Sequence, residues 1–354
     1  MYFEFTTLEI ILASLIISFL TTFLALPYVQ KFGVNFNIKD TLDERKQKQN
    51  SLVRIGGLAL IIGFLSSLLV ISILKNFSYS NLYSTKILLT LLFSALTFFI
   101  LGLVDDIRSL SPFIRLLIQV LIALLISGSG INIEKIDLAW INIQPIYLPS
   151  FFSMLITTFW IVGLTNAINW LDGIDGLASG IAGISSLGLT IISYQNGQSL
   201  VPILAASISG CSFGFLRFNF FPAKMLMGDS GSYFLGFSLA IISILSTNLE
   251  INPIGIFIPI FLFIIPLLDM FLVIMGRIIK KESPFIADRS HLHHKLIDSG
   301  YSELATVILI YSISQWIAVL TIGLASINDG VYILAVLLSS VLLFFGFILA
   351  KYVL

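Results

Sequence analysis

The sequence predicts an all-α, polytopic membrane protein, and three observations lead to that fold class. The first is composition: 57% of the 354 residues are hydrophobic and only 11% are charged, whereas a soluble domain is about 25% charged. So few charges cannot cover a water-soluble globule of this length. They also exclude a disordered chain and a nucleic-acid-binding protein. The single cysteine, Cys211, excludes a disulfide scaffold and a multi-thiolate metal site.

The second observation is a series of apolar runs, most of them close to the length of about 20 residues that a helix needs to cross a bilayer. We predict about eleven transmembrane helices, at Ile10–Val29, Ile55–Leu74, Ile87–Val104, Phe113–Ser127, Ser150–Leu164, Leu177–Ser193, Leu200–Leu216, Tyr233–Ser246, Ile254–Ile274, Thr306–Ile322 and Val331–Leu349. The first run has no basic leader, which is typical of a retained helix rather than a cleaved signal peptide. Because the runs fill nearly the whole chain, residues 1–354 are expected to form a single transmembrane domain.

The third observation is the distribution of lysine and arginine. One set of alternate loops and tails carries 16 of the 19 basic residues, and the other set carries Lys75, Lys86 and Lys135. Basic loops lie on the cytoplasmic side, so the N-terminus is predicted outside and the C-terminus in the cytoplasm. The cytoplasmic loops are then 31–54, 105–112, 166–176, 217–232 and 277–302. On the outer side, alternating apolar and polar residues over 131–143, around Trp140, predict a small β-hairpin.

An aspartate pair, Asp105 and Asp106, follows the third predicted helix at the membrane edge. At about 6 Å and an effective dielectric constant near 20, two carboxylates repel each other by about 3 kcal/mol. Such a pair favours the binding of a cation or a proton. A solvated helix end is the alternative.

The loop after the fifth predicted helix repeats a polar side chain at every third position: Asn166, Asn169, Asp172 and Asp175. On a straight helix each step of three falls about 60° short of a full turn, so the first and last would point in opposite directions. Gly173 favours a helix that breaks here, and we expect the four groups to converge from a turn. Helix capping explains one such residue, but not four.

Two further loops carry polar groups that packing does not require. Asp229 precedes an apolar helix, between small residues that leave the backbone N–H groups open, an arrangement suited to a metal beside phosphate. A plain N-cap is the alternative. All three histidines of the chain, His291, His293 and His294, lie close to Arg289. Their spacing does not fit zinc, so we interpret this segment as an anion-binding loop.

Taken together, five aspartates face a set of basic residues on one side of the membrane: Asp105, Asp106, Asp172, Asp175 and Asp229 opposite Lys46, Arg115, Lys224 and Arg289. Carboxylates hold a hard cation, the cation bridges phosphate oxygens, and basic groups neutralise the developing charge. The pattern therefore indicates Mg²⁺-assisted phosphoryl transfer. No glycine-rich nucleotide-binding motif occurs in the sequence.

These residues resemble the polyprenyl-phosphate N-acetylhexosamine-1-phosphate transferases. The likeness covers roughly residues 31 to 300 and rests on three motifs: Asn166-Ala-Ile-Asn169 through Asp175-Gly-Leu, Pro222-Ala-Lys224 through Asp229-Ser-Gly-Ser, and Asp288-Arg289-Ser-His291-Leu-His293-His294. It implies a magnesium-dependent enzyme (Mn²⁺ being a substitute ion) at the inner leaflet of the cell membrane. There, polyprenyl phosphate attacks the sugar-linked phosphorus of a UDP-N-acetylhexosamine, which releases UMP. Pairing of two copies is left open, and the sequence identifies no interface.

The resemblance also assigns roles to residues. Asp229 and Asn169 match metal-holding positions, and Asp105 and Asp106 match the pair at the lipid phosphate, with Asp105 the proposed base. Matches to substrate-binding positions cover the nucleotide and its diphosphate: Lys46, Arg115, Asn166, Asp172, Asp175, Lys224, Arg289, His291, His293 and His294. A phosphate monoester is largely ionised near pH 7, so the aspartate pair can instead supply electrostatic positioning.

The histidine spacing resembles the subgroup that transfers N-acetylglucosamine 1-phosphate more than the phospho-N-acetylmuramoyl-pentapeptide transferases, whose three histidines are contiguous. The reaction of that second branch, transfer of phospho-N-acetylmuramoyl-pentapeptide, is the alternative function. The sequence departs from the family where Lys48, Ser51 and Val53 replace a histidine and a Pro-x-Pro, and where Arg115 replaces a lysine. These departures leave the reaction class intact.

The ninth predicted helix follows Pro253 directly and contains Pro259 and Pro266. Proline kinks are expected, and a bent helix would open a groove for the lipid tail. Asp269 in the same apolar run needs a partner, and we interpret it as a structural hydrogen-bonding residue. A proton- or ion-coupled transporter is the rival functional class. Transporters place charges near the bilayer midplane, whereas these lie at one face. A membrane scaffold would leave the carboxylates unexplained.

Overall fold

Helices dominate the structure, and their ends build the site described below. The computed structural model describes residues 6–36, 38, 52–74, 82–138, 143–247, 255, 257–283, 291–326 and 329–352. In these ranges the elements are α1 (Thr7–Asn35), α2 (Gly57–Leu74), α3 (Leu82–Arg108), α4 (Pro112–Gly128), β1 (Lys135–Leu138), β2 (Ile143–Tyr147), α5 (Ser150–Leu171), α6 (Leu177–Gln195), α7 (Leu200–Asn219), α8 (Gly228–Thr247), α9 (Phe257–Leu262), α10 (Ile264–Ile279), α11 (Leu292–Asp298), α12 (Glu303–Ala325) and α13 (Asp329–Tyr352).

In the described residues each predicted apolar run overlaps helix, and the ninth, of which 254 and 256 fall outside those residues, is divided between α9 and α10. Among the described residues, seven helices are long and apolar enough to cross a membrane: α1, α3 from Lys86, α5, α6, α7, α8 and α12. Shorter apolar helices cover Gly57–Ser72, Pro112–Gly128 and Leu334–Ile348. The protein is therefore a helical, multi-pass membrane protein.

Helix α8 lies at the centre of the structure. Its side chains from Ser230 to Ser246 are buried all round, as expected for a helix enclosed by others. Helices α3, α5 and α2 pack along it, α6, α7 and α9 also contact it, and α1 packs outside α7. Phe98 of α3 stacks on Phe237 of α8 at a centroid distance of 4.4 Å. The N-terminal turn of α8 is thereby held next to the C-terminal ends of α3 and α5.

Helix α3 approaches the start of α8 at Gly102. A Cβ atom on Gly102 would lie 2.3 Å from the carbonyl oxygen of Asp229, closer than any van der Waals contact allows. Only glycine lets the two backbones meet at this separation. Gly228, at the first position of α8, has a φ of 75° and would place a Cβ 2.6 Å from Asp106 Oδ2. Both glycines thus fix where the first turn of α8 lies.

The ninth predicted helix breaks, as its prolines indicated. Helix α9 ends at Leu262, and α10 begins after Phe263, whose φ and ψ are −108° and 18°. Pro266 has no N–H to donate to the carbonyl of Leu262. The hydroxyl of Ser185 in α6 donates to that carbonyl instead, at 2.8 Å. The break therefore leaves no unsatisfied backbone oxygen there and lets α10 pack against α5.

The predicted β-hairpin exists, but its position is displaced. Strand β1 pairs with β2 in antiparallel register, Lys135 opposite Tyr147 and Ile136 opposite Ile146. The second strand thus lies beyond the predicted end at residue 143, and Trp140 falls outside the described residues. Pro145 sits within β2, a position that a two-stranded sheet tolerates because each outer edge has no ladder to break.

Candidate functional site

The central pair of the site joins α5 to α8. The amide nitrogen of Asn169 donates to Asp229 Oδ1 at 2.8 Å and to Ser232 Oγ at 2.9 Å. Both residues were predicted to lie in loops, but Asn169 is in the last turn of α5 and Asp229 in the first turn of α8. Helix ends position these groups more rigidly than loops would. The predicted meeting of the two motifs is thus present in the structure.

Asp106 caps the N-terminal end of α8. Its Oδ1 accepts the N–H of Asp229 at 2.8 Å, and its Oδ2 accepts the N–H of Ser230 at 3.0 Å. The N–H groups expected to be open for a ligand are therefore occupied by a carboxylate. Arg54 Nε lies 3.1 Å from Asp106, and an Arg54 Nη lies 3.3 Å from Asp229. The side chain of Asp106 is fully buried, so it contacts the helix end and Arg54 instead of solvent.

Both carboxylate oxygens of Asp105 accept hydrogen bonds from other groups of the protein. Its Oδ1 accepts the N–H of Leu110 at 2.7 Å, and its Oδ2 accepts from Arg115 at 2.7 Å. The same Arg115 nitrogen lies 3.9 Å from Asp229 and 3.4 Å from the hydroxyl of Tyr233. One guanidinium thus bridges α3, α4 and α8. Asp105, Asn169 and Asp229 share one neighbourhood, as the sequence predicted.

The Asn/Asp repeat lies at the predicted helix break, with two members in the last turns of α5 and two in the turn that follows it. Helix α5 continues to Leu171, so Asn166 and Asn169 are still helical. Asn166 donates to Gln119 of α4 at 2.6 Å, and Asp175 accepts the backbone N–H of Ala223 at 2.8 Å. The helix therefore breaks at Gly173, as the sequence indicated, but α5 continues past the predicted end at Leu164 because Ala167, Ile168 and Leu171 are buried.

Asp172 follows α5 as its C-terminal cap and is half-buried. Burial raises the pKa of its carboxyl well above the usual range, and the neighbouring Asp229 raises it further, while Arg54 opposes the shift. In the described part of the structure its carboxylate makes no hydrogen bond. An acidic oxygen without a partner beside a second carboxylate is the local arrangement that a bound cation would relieve.

The three histidines form a short stack at the start of α11. Ring centroids are 5.6 Å apart for His291 and His293, and 4.3 Å apart for His293 and His294. His293 is buried, and neither ring nitrogen has a hydrogen-bond partner among the described residues. Burial, together with the adjacent His294 and His291, lowers the pKa of His293 to about 4. His293 is therefore neutral near pH 7.

A largely apolar cavity of about 840 Å³ leads away from these groups. It runs between α4, α5 and α10. Its lining comprises Pro112, Arg115, Leu116, Val120, Leu155, Thr158, Phe159, Val162, Gly163, Asn166, Asn169, Trp170, Tyr233, Met270, Ile274, Arg277 and His291. Polar and aromatic groups gather at the end near Asn169, and hydrocarbon lines the remainder. The cavity thus combines a charged end with an apolar channel.

Three further residues were predicted for the site. Lys46 and Arg289 are outside the described residues, and Lys224 is exposed, with its backbone carbonyl accepting from Gln30 at 3.0 Å. Arg54 and Tyr233 were missed as site residues. The available signal for Arg54 was the stretch Arg54-Ile-Gly56-Gly57, which agrees with an Arg-x-Gly-Gly motif of the family that the sequence resembles. Tyr233 reads in sequence as one more apolar helix residue, so only its neighbours reveal it.

The donor chemistry of the site fits a hard divalent cation. Asp229, Asn169 and Asp172 offer carboxylate and amide oxygens, which Mg²⁺ prefers over nitrogen or sulfur. Asp172 in particular has a carboxylate that no residue in the described part neutralises by direct contact. Among the described residues, no three acidic, histidine or cysteine side chains are already arranged as metal ligands. Arg54 and Arg115 instead approach the acidic oxygens.

Comparison with known proteins gives consistent matches. The family described as glycosyl transferase family 4 matches residues 88–247, from within α3 to the end of α8. A probable undecaprenyl-phosphate N-acetylglucosaminyl 1-phosphate transferase of Bacillus subtilis (strain 168) is 31% identical over 316 residues, covering 89% of this chain and 85% of that protein. A decaprenyl-phosphate N-acetylglucosaminephosphotransferase of Mycolicibacterium smegmatis is 29% identical over 324 residues, covering 86% and 79%. A phospho-N-acetylmuramoyl-pentapeptide-transferase of Halalkalibacterium halodurans is 30% identical over 343 residues, covering 89% and 98%.

Proposed function

The chain belongs to glycosyl transferase family 4, and on that premise we propose that it transfers N-acetylglucosamine 1-phosphate from UDP-GlcNAc to polyprenyl phosphate, releasing UMP. One observation carries the proposal: the Asn169–Asp229 pair and Arg115 lie at the head of a cavity otherwise lined by hydrocarbon. A lipid phosphate has this same division, a charged head on an apolar tail. The product would initiate a cell-envelope glycan.

The cavity supports a polyprenyl chain as the acceptor. Leu116, Val120, Leu155 and Phe159 provide apolar walls, and a lipid tail that moves there from the bilayer exchanges one hydrocarbon environment for another. The head of the lipid would then lie beside Arg115, whose charge suits a phosphate monoester. The predicted groove at the ninth helix is supported by Met270, Ile274 and Arg277 of α10, which line this cavity beyond the break at Phe263.

Catalysis of this reaction depends more on charged side chains held beside the phosphates than on proton transfer. An oxygen of the lipid phosphate attacks the sugar-linked phosphorus of UDP-GlcNAc, and the bond from that phosphorus to the UMP oxygen breaks. Arg115 and Arg54 would stabilise the charge that develops on the phosphate oxygens. Because the attacking phosphate is already ionised near pH 7, Asp105 need not act as a base. Its contacts with Arg115 and Leu110 support an electrostatic and positioning role.

Mg²⁺ is the cofactor that we infer, with Mn²⁺ as a substitute. Asp229, Asn169 and Asp172 would hold the Mg²⁺ ion. When bound, the ion would neutralise part of the diphosphate charge. Holding such an ion requires the Asp172 carboxyl to ionise, against the burial that raises its pKa. The proposal therefore predicts that metal affinity falls as the pH is lowered through that raised pKa.

We place the reaction at the cytoplasmic face of the inner or plasma membrane. The ends of α3, α5 and α10 and the starts of α4 and α8 meet around the site, and 16 of the 19 basic residues are assigned to that side by sequence. Nucleotide sugars are made in the cytoplasm, so this placement also matches the donor.

A second substrate deserves the same test, because the Halalkalibacterium halodurans relative, named for the muramoyl-pentapeptide substrate, matches over 98% of its length. Purified protein would be incubated with radiolabelled polyprenyl phosphate, Mg²⁺ and one donor at a time: UDP-GlcNAc, other UDP-N-acetylhexosamines, or UDP-MurNAc-pentapeptide. We expect lipid product and UMP with UDP-GlcNAc in preference to the others. Product from the pentapeptide donor alone would favour the second candidate, and no UMP from any donor would refute the enzyme proposal.

A further inference from the structure

Tyr233 lies one helical turn after Asp229 in α8. Residues four apart on a helix are neighbours on its surface, so this tyrosine shares a face with the aspartate that pairs with Asn169. Tyr233 is buried, with 1% of its surface exposed, and it lines the head of the cavity together with Arg115 and Asn169. Its hydroxyl is therefore a polar group at a position where phenylalanine would fill the apolar space equally well.

The hydroxyl of Tyr233 makes only long contacts in the described part of the structure. It accepts from Arg115 Nη1 at 3.4 Å and donates to Asp105 Oδ2 at 3.5 Å. A hydrogen bond from a hydroxyl to an oxygen is normally about 2.5–3.0 Å long, and Asp105 Oδ2 already accepts from Arg115 at 2.7 Å. The hydroxyl proton is thus held weakly. Because a hydroxyl rotates about its C–O bond, the proton can turn to a better acceptor.

A ligand in the cavity would supply such an acceptor. Burying a hydroxyl without a good hydrogen bond costs free energy, so the long contacts of Tyr233 are unfavourable for the protein alone. An ionised phosphate oxygen is a strong hydrogen-bond acceptor. The proposed function puts the phosphate of the lipid beside Arg115, which is also the nearest neighbour of the Tyr233 hydroxyl.

The charges around the hydroxyl explain why a neutral donor is useful at this position. Arg115 Nη1 lies 2.7 Å from Asp105 and 3.9 Å from Asp229, so two carboxylates already share its positive charge. A phosphate monoester that arrives at the head of the cavity therefore meets acidic groups as well as the guanidinium. A tyrosine hydroxyl donates a hydrogen bond without carrying a charge, so neither carboxylate can neutralise it.

We propose that Tyr233 is a substrate-binding residue: its hydroxyl turns away from Asp105 and donates to a non-attacking oxygen of the lipid phosphate. The inference rests on the proposed function, which supplies the polyprenyl phosphate. An oxygen of the nucleotide diphosphate has the same acceptor chemistry. Tyr233 lines a cavity whose remainder is hydrocarbon, however, and this favours the lipid as the source of the phosphate.

The test variant is Tyr233→Phe, which removes the hydroxyl and keeps the ring. Tyr311→Phe is the matched control, because the hydroxyl of Tyr311 in α12 donates to the backbone carbonyl of Gly176 and neither residue lines the cavity. Equilibrium dialysis of detergent-purified protein, without nucleotide sugar, would compare radiolabelled farnesyl phosphate with farnesol. We expect Tyr233→Phe to weaken the binding of farnesyl phosphate by about 10- to 100-fold and to leave that of farnesol unchanged. Tyr311→Phe should change neither affinity.

Two results of the dialysis experiment would overturn the proposal. One is an unchanged affinity of Tyr233→Phe for farnesyl phosphate. The other is an equal loss for farnesyl phosphate and farnesol, because the variant would then disturb the cavity instead of a phosphate contact. Farnesol thus also reports whether the cavity of Tyr233→Phe is correctly folded.

Steady-state kinetics distinguish the two sources of phosphate. In Tyr233→Phe the KM for polyprenyl phosphate should rise by about tenfold or more, while the KM for UDP-GlcNAc should match that of the unchanged protein. A rise in the KM for UDP-GlcNAc alone would overturn the assignment to the lipid. If the unchanged protein releases no UMP, the proposed function fails, and the binding of farnesyl phosphate alone then decides whether Tyr233 contacts a lipid phosphate.

Discussion

Replacing Asp106 by alanine should destabilise the protein and displace Asp229, rather than simply remove a reacting group. Asp106 accepts two backbone N–H groups at the start of α8 and pairs with Arg54, and its side chain is fully buried. The same segment carries Asp229 towards Asn169. Loss of the carboxylate therefore affects the position of the central pair before it affects any chemistry.

The size of the expected loss in the free energy of unfolding follows from these contacts. A hydrogen bond to a charged group contributes about 1.5–3 kcal/mol, and removing one partner of a buried ion pair costs about 3–5 kcal/mol because the other is left uncompensated. Arg54 retains Asp229 as a second acidic neighbour, which limits the loss. We expect Asp106→Ala to lower the free energy of unfolding by about 3–4 kcal/mol. Asp106→Asn keeps one acceptor oxygen and should cost about half as much.

Two measurements on detergent-purified protein check this reasoning. Chemical unfolding gives the stability, and the initial rate of UMP release gives the activity. Asp298→Ala, at an exposed aspartate of α11, is the control for loss of a surface carboxylate and should leave both unchanged. An Asp106→Ala protein as stable as that control but inactive would refute the capping role and place Asp106 in direct contact with substrate.

Four other predictions follow from the geometry. Asp229→Asn should abolish turnover and weaken the dependence of the rate on Mg²⁺ concentration; a near-normal rate in a metal titration would remove Asp229 from the metal site. Arg115→Lys should lower kcat/KM by about 10- to 100-fold, since lysine cannot reach Asp105 and Asp229 with one planar group. Steady-state kinetics with both substrates measure this change. Unchanged values would contradict the bridging role of Arg115. Gly102→Ala should reduce activity because the added Cβ pushes the start of α8 away. Gly276→Ala should leave activity unchanged, because no atom lies within 4 Å of its added Cβ. Equal UMP release rates in the two variants would exclude the close-packing argument. The pKa of His293 is lowered from 6.5 to about 4, so the unfolded chain binds more protons than the folded protein between those pH values. The free energy of unfolding should therefore be full above about pH 6.5 and fall by about 2 kcal/mol on going to pH 5. Unfolding curves at both pH values should show this loss, and His293→Phe should show less of it.

Local sequence patterns predicted the helices well because membrane helices obey simple rules. Hydropathy over about 20 residues reports the apolar environment directly, and prolines marked the helix that breaks at Phe263. The hairpin was displaced because alternation over a short stretch does not determine where the second strand ends. The break near Gly173 was predicted, but the polar side chains of Asn166 and Asn169 concealed the last turns of α5, which buried apolar side chains keep helical to Leu171.

The sequence by itself determined the class of molecule, the family, and the residue types that carry the chemistry, because composition, hydropathy and closely spaced motifs are properties of the linear chain. Tertiary structure decided how those residues divide the work. Asp105 and Asp106 are adjacent in sequence, yet one binds Arg115 and the other caps α8. Partners such as Arg54, Tyr233 and Asp269, the last through its 2.8 Å contact with His291, enter the site from distant segments. Contacts between separate helices depend on how their surfaces pack, and no local pattern encodes that.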